Sequence, residues 1–211
     1  MRALPGEPAP GSGPAAPLPA LSLPEWLVLA IISQRPAHGF AVSQLTAARG
    51  ELGRVWQVPK AVVYRALGRL ADSGLLVPQY TEPGLGPQRT VYAAADDGRA
   101  AAGRWLLEPV RHVRDIRSEL LLKLALVDRA AQDPAPLLQA QRAVLVPLIA
   151  ALDARRDRSE GFDATLLAWR RATAVAALDF LDAVPGSGTG AARPQPGPRS
   201  ASAKKRCGAS S

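Results

Sequence analysis

The sequence predicts a mainly helical α+β protein, in which a small domain with a β-hairpin precedes a wholly helical second half. The segment 58–74 carries its apolar residues on a single helical stripe. Two strand-like segments, 75–82 and 88–93, flank a turn rich in Pro and Gly. From residue 96 onward, long segments repeat apolar residues at helical spacing, which predicts helices that need packing partners.

Composition divides the chain into four parts. These are a Pro-, Ala- and Gly-rich leader at 1–20, a helix-and-hairpin domain at 21–95, a helical linker and dimerisation domain at 96–184, and a basic Gly- and Pro-rich tail at 185–211, with leader and tail expected to be disordered. The formal net charge is +8, and the excess falls on residues 21–94, with +3, and on the tail, with +5. This distribution favours a nucleic-acid partner, because Lys and Arg neutralise phosphates.

The first two helices are predicted from their ends and spacing. Ser22 and Glu25 stand three residues apart, as in a capping box, so a helix begins there and runs to about residue 34. A second helix is expected over residues 40–49. Its inward side chains are predicted to be Phe40, Leu45 and Ala48.

The third helix is the candidate recognition helix. Pro59 suits its first turn, and Gly74 suits the position just after its end, where a positive φ is usual. The face opposite the apolar stripe mixes small and charged residues: Ala61, Arg65, Gly68, Arg69 and Asp72. Small residues allow close approach, and arginine binds guanine edges or phosphates. With the hairpin as a wing, the order predicts a winged helix-turn-helix; an amphipathic helix with a solvated basic face is the alternative.

The second half is predicted to be helical throughout. Asp96 or Asp97 caps a helix through residue 107, and another begins at Asp115. Pro147 is expected to kink or divide a helix over residues 136–156. The last helix, about 163–183, carries an apolar seam: Leu166, Trp169, Thr173, Ala176 and Phe180. Such seams predict dimerisation, with packing inside one chain as the alternative.

Taken together, residues 21–184 resemble the PadR family of transcriptional regulators. The motifs that carry the resemblance are Pro36-x-His38-Gly39-Phe40, Val63-Tyr64-Arg65, Arg89-x-x-Tyr92 and the segment 114–124. The resemblance implies a homodimer that binds a palindromic operator in double-stranded DNA, usually as a repressor released by a ligand or by stress. It also identifies Tyr64 as the family's recognition-helix tyrosine.

Six side chains are expected to contact DNA: Ser43, Lys60, Tyr64, Arg65, Arg69 and Arg89. Arg65 is the expected reader of base edges, with Lys60 and Arg69 on phosphates and Arg89 in the wing. Tyr64 could instead pack against the second helix, and Arg69 could pair with Asp72 three residues away.

Three aromatic residues, Trp105, Phe162 and Trp169, could line a pocket for a small aromatic or lipophilic effector; core or dimer packing is the alternative. Neither His38 nor His112 has metal-ligand spacing, and Cys207 is the only cysteine, so neither a metal nor a cofactor is expected. The absence of catalytic motifs argues against an enzyme.

The sequence also indicates where the protein acts. Prolines interrupt the leader, and the apolar runs at 26–32 and 120–127 are shorter than the ~20 residues that cross a bilayer, so a cytoplasmic protein without membrane contact is expected. The expected function is sequence-specific regulation of transcription. The alternative is a winged-helix protein-interaction module with only non-specific DNA affinity.

Overall fold

A computed structural model of the protein describes residues 19–82 and 88–185. The seven α-helices of these ranges are α1 (Leu23–Gln34), α2 (Gly39–Thr46), α3 (Lys60–Asp72), α4 (Asp96–Leu107), α5 (Leu121–Arg129), α6 (Ala135–Arg156) and α7 (Gly161–Ala183). The strands there are β1 (Ala37–His38), β2 (Leu76–Glu82) and β3 (Arg89–Ala94). Nearly all of the leader, the wing turn at 83–87 and almost the whole tail, with Cys207, lie outside the described residues.

Helix α1 is the centre of the first core. It begins as expected, with a capping box in which the amide and the hydroxyl of Ser22 both donate to the Glu25 carboxylate at 2.7 Å. Every residue from Trp26 to Ile32 is buried, since α3 packs on one side of the helix and α4 on another. A helix that is apolar all round is stable only when it is enclosed in this way.

Helix α2 differs from the prediction in length and in orientation. It ends at Thr46, and the residues that face the core are Gly39, Val42, Ser43 and Thr46. The expected inward face was wrong for Phe40 and Ala48, which are exposed, whereas Leu45 is half-buried and packs against the first core. The inward face was not evident from the sequence because its first member, Gly39, has no side chain and so adds no apolar residue to the pattern.

The wing is a three-stranded antiparallel sheet in the order β1-β3-β2. The hairpin strands were expected, and β2 lies at the edge, as Pro78 requires. Strand β1 was not predicted, because two residues are too short to show a pattern; it pairs Ala37 with Tyr92 of β3. Gly74 has a φ of 73°, which confirms the positive value expected after α3.

The second half has more varied helices than the sequence indicated. The N-cap of α4 is Ala95 rather than Asp96 or Asp97, so both aspartates lie in the first turn, where a carboxylate also favours the helix dipole. A 3-10 turn, Val113–Asp115, and a π-helix, Ile116–Leu120, lead into α5. Helix α6 continues through Pro147 without division.

Helices α6 and α7 pack along their lengths and build most of the second and third cores. The predicted seam of α7 is not the side that faces α6. The buried residues are Leu167, Ala174, Ala177 and Leu181, each one position after a predicted one. Trp169 and Phe162 remain 67% and 78% exposed. Both sides of α7 are apolar, so spacing alone did not select the side that packs.

Helix α6 is also the one helix in the described part of the chain whose length and composition would suit a membrane crossing, with a mean hydropathy of 1.5 over its most apolar window. Its apolar residues are interrupted by polar ones such as Gln139 and Arg142, so it contains no uninterrupted apolar run long enough to cross a bilayer. Five of its 22 residues, Leu137, Leu138, Gln141, Leu145 and Leu152, are buried against neighbouring elements.

The first core extends into α4, where Gly98 lies against the backbone after α3. A Cβ at this position would overlap the carbonyl oxygen of Leu75. We expect Gly98→Ala to lower the free energy of unfolding by about 1–3 kcal/mol, because a backbone oxygen cannot move aside as a side chain can. Gly103→Ala on the same helix is the control, since no atom lies within 4 Å of its added Cβ. Equal denaturation midpoints for the two variants would contradict the close approach.

Candidate nucleic-acid interface

Helix α3 presents the face that the sequence predicted. Val63, Ala66, Leu67 and Leu70 are buried, while the opposite residues are exposed. The exposed set contains Ala61, Tyr64, Arg65, Gly68, Arg69 and Asp72. A Cβ at Gly68 would meet no atom within 4 Å, so the middle of this face is open. The helix begins after Pro59 with no side-chain cap, which leaves its first amides unpaired by side chains.

Two more of the predicted DNA contacts, Lys60 and Arg89, lie beside the ring of Phe40, a residue that the sequence predicted to face the core. The guanidinium carbon of Arg89 lies 4.7 Å from the centroid of the Phe40 ring, and the Nζ of Lys60 lies 5.8 Å from it. The Nζ of Lys60 is also 5.7 Å from the Tyr64 ring. The first turn of α2, the start of α3 and the wing therefore meet on one surface.

Tyr64 combines the two roles that the sequence left open, whereas Ser43 is turned towards the core. The Tyr64 ring packs over Gly39, where an added Cβ would lie 3.0 Å from two ring carbons, yet about half of the residue is exposed. Ser43 is buried, and its hydroxyl donates to the carbonyl of Phe40 at 2.8 Å. Of the six predicted contacts, Ser43 is thus the least available to a phosphate.

Arg69 is paired, but with a residue that the sequence did not suggest. Its Nη1 lies 3.0 Å from the carboxylate of Glu25, which is buried at the start of α1. Burial alone would raise the pKa of Glu25. The hydrogen bonds from Ser22 and the charge of Arg69 outweigh burial, so the pKa of this carboxyl is lowered below its usual 4.5. The guanidinium itself stays largely exposed, with donors free to reach a phosphate.

This pair makes stability depend on pH in a definite direction. The pKa of Glu25 is lower in the folded state than in the unfolded state. The carboxylate therefore contributes fully to the free energy of unfolding above pH 4.5, and this contribution is lost as the pH falls through the pKa of the folded state. We expect Glu25→Gln to cost about 1–2 kcal/mol at neutral pH and much less in acid. Denaturant unfolding at both pH values measures this, with Asp179→Asn, an exposed carboxyl on α7, as the control. A difference in free energy of unfolding between the parent protein and Glu25→Gln that is the same at both pH values would contradict this prediction.

The three aromatic residues predicted for an effector pocket do not share a cluster. Trp105 belongs to the first core, where it stacks on Trp26 with ring centroids 5.5 Å apart, and its indole donates to Glu119 at 3.1 Å. Phe162 and Trp169 lie exposed on α7.

A cleft of about 700 Å³ lies elsewhere, between α1, α4 and the end of α5. Three arginines line it, Arg35, Arg99 and Arg129, together with the apolar side chain of Leu106. The hydroxyl of Ser33 is buried there, and it has no hydrogen-bond partner among the described residues. Glu51 also lines the cleft and pairs with Arg129, and Arg99 pairs with Asp96, so the lining carries both charges.

Within residues 19–82 and 88–185, no three His, Cys, Asp or Glu side chains are grouped as metal ligands would be. His38 instead caps α2, since its Nδ1 accepts the amide proton of Ala41 at 3.0 Å.

The helices α1 to α3 and the wing define a winged helix-turn-helix domain, a fold that places a helix in the major groove of DNA. Residues 28–104 match the family model described as the transcriptional regulator PadR-like family. No curated protein shows significant similarity to the chain.

Several solved structures are similar to the chain. PadR from Bacillus subtilis in complex with operator DNA is 17% identical, with a TM-score of 0.40, over 76% of this chain and 96% of that chain. The protein smu.1704 from Streptococcus mutans is 28% identical, with a TM-score of 0.33, over 43% of this chain and 77% of that chain. Bacillus subtilis PadR with p-coumaric acid is 15% identical, with a TM-score of 0.36, over 75% of this chain and 94% of that chain.

Proposed function

We propose that the protein is a sequence-specific DNA-binding regulator of transcription, and that it acts as a homodimeric repressor in the cytoplasm. The observation that carries the proposal is the exposed face of α3, where Arg65 and Arg69 stand beside Ala61 and Gly68. Small residues let the helix backbone approach the groove, and a guanidinium there reaches the O6 and N7 of guanine. Lys60 and Arg89 flank this face and bind phosphates.

Dimerisation is proposed from the outer side of the last two helices. Phe162 and Trp169 on α7 and Val146 on α6 are large apolar residues that stay exposed in one chain. A second copy that covered them would remove apolar surface from water, which is favourable by about 25 cal/mol per Å². A two-fold dimer would present two α3 helices to successive major grooves, so the operator is expected to be palindromic.

Release by a small molecule is proposed from the arginine-lined cleft. Because the cleft lies between α1 of the winged domain and α5, a ligand that bound there would contact both halves of the chain. Arg99 and Arg129 already pair with Asp96 and Glu51. Arg35 and the Ser33 hydroxyl, which has no partner among the described residues, are therefore the groups that we propose for the polar end of the effector, with Leu106 beside its apolar body. The cleft, rather than Trp105 with Phe162 and Trp169, is our site for this effector. The division of the chain after residue 95 stays a prediction.

The test is binding of the full chain to its own upstream promoter DNA and to scrambled DNA of equal length, over a series of salt concentrations, with a mass determination. We expect saturable binding by a dimer that retains its sequence preference as salt rises. Equal binding to both DNAs that disappears with salt would reject the proposal. It would favour the alternative, a winged-helix protein-interaction module with only non-specific DNA affinity.

A further inference from the structure

Three elements of the winged domain meet at the ring of Phe40. This side chain stands in the first turn of α2 and is 37% exposed. Arg89 from the wing and Lys60 from α3 both lie within 6 Å of its centroid. A cation at this distance from a ring face is attracted by the negative charge of the π system. One uncharged side chain therefore contacts a cation from each of the two elements that approach DNA.

The ring stands on a turn that is itself fixed. The carbonyl of Phe40 accepts the hydroxyl of Ser43 at 2.8 Å, and the amide of Ala41 donates to His38 at 3.0 Å. Phenylalanine has two side-chain torsions, whereas lysine and arginine have four or more and lose much rotamer freedom when they are held. A fixed ring that restrains both cations before DNA arrives lowers the entropy lost on binding.

The wing depends on this contact because it has few cations. Arg89 is the only lysine or arginine between residues 70 and 98. Any phosphate contact made from the hairpin by a charged donor must come from this one guanidinium, so its position decides whether the wing contributes to affinity.

We propose that Phe40 is a positioning residue for DNA binding, which holds Arg89 and Lys60 at a set separation so that both reach phosphates of one duplex. The inference rests on the proposed DNA-binding function. It assigns to α2 a role in aligning the wing with α3, and it involves no contact between Phe40 and DNA.

The experiment is a double-mutant cycle on the full chain, with Phe40→Leu, Arg89→Met and the two combined, measured on promoter DNA over a series of salt concentrations. Phe40→Leu keeps an apolar side chain, smaller than the ring, and removes the π system. We expect it to weaken binding roughly threefold to tenfold in the parent, and by a clearly smaller factor beside Arg89→Met, where only the restraint on Lys60 remains to be lost. Phe40→Tyr, which keeps a ring, restores affinity to within about twofold of the parent.

Salt dependence separates positioning from loss of a phosphate contact. Arg89→Met is expected to reduce the slope of log K against log salt by about one, whereas Phe40→Leu leaves the slope unchanged because both cations are still present. An equal loss from Phe40→Leu with and without Arg89 would overturn the proposal, since it would mean that Phe40 touches DNA directly or only supports the fold.

A measurement without DNA keeps this test apart from that of the proposed function. In the NMR spectrum of the free protein, the δ-methylene protons of Arg89 and the ε-methylene protons of Lys60 are expected to shift upfield under the ring current of Phe40. Phe40→Leu abolishes the Arg89 shift. Unshifted protons in the parent protein would overturn the inference even if the protein binds its promoter, and shifted protons without sequence-specific binding would reject only the function.

Discussion

Replacing Arg65 with glutamate is expected to weaken binding to promoter DNA by roughly a hundredfold or more and to remove the preference for promoter over scrambled DNA. Arg65 lies in the middle of the exposed face of α3, one helical turn from Ala61 and beside Gly68. Loss of a bidentate contact to guanine costs about 1–3 kcal/mol, and a carboxylate near the phosphates adds repulsion. Because the side chain is exposed, the free energy of unfolding is expected to stay within about 0.5 kcal/mol.

The control is Arg111→Glu, which changes the net charge equally at an exposed position between α4 and α5. It is expected to leave promoter preference unchanged. If both variants lose affinity to the same extent on both DNAs, α3 does not read sequence, and the basic face acts only through its overall charge.

The second large effect is expected at Lys123, which is only 1% exposed at the junction between the two halves. Its ammonium donates to the carbonyl of Glu108 at 2.7 Å, pairs with Glu119 at 2.8 Å, and lies 4.8 Å from the Trp105 ring. Lys123→Met keeps the volume but removes the donor to the Glu108 carbonyl and the cation beside Glu119, whose carboxylate still accepts from the Trp105 indole. We expect the free energy of unfolding to fall by about 3 kcal/mol, at the lower end of the range for a broken buried ion pair, because Glu119 is partly exposed.

Arg142→Met is the matched control. It removes the ion pair between Arg142 of α6 and Asp182 of α7, in which both side chains are partly exposed. We therefore expect the free energy of unfolding to fall by less than about 1 kcal/mol. Equal losses from the two variants in denaturant unfolding would contradict the importance of burial at Lys123.

The same lysine gives an alkaline dependence. Burial lowers its pKa below the usual 10.5, although Glu119 and Glu108 partly oppose the shift. Between the lowered value and 10.5 the unfolded chain binds more protons than the folded one, so stability rises with pH in this window. The stability gap between the parent protein and Lys123→Met is therefore expected to widen on the alkaline side.

Local chemistry made much of the winged domain predictable. The capping box of α1, the Pro at the start of α3 and the Gly after it are signals read within a few residues, and each marks an observed boundary. The exposed face of α3 followed from spacing, since a helix of 13 residues shows its stripe clearly. Helix α2 has eight residues and a glycine on its inner side, which is too little for the same argument.

The contacts that complete the surface could not be read from spacing. The partner of Arg69 is Glu25, 44 positions earlier, and only the packing of α1 against α3 brings them together. Phe40 was assigned to the core because it is apolar. Its position beside two cations depends on the approach of the wing, a contact between segments about 50 residues apart.

The first core has a consequence for how such proteins can be recombined. Leu122 and Leu126 of α5 are fully buried among residues of α1, α3 and α4, so the winged domain completes its interior with side chains from beyond its own hairpin. Exchange of the C-terminal helices with those of another protein would succeed only if the donor supplied two apolar side chains in the same place. Fusion boundaries drawn after the wing would leave a hole, whereas boundaries drawn after α5 would keep the interior filled.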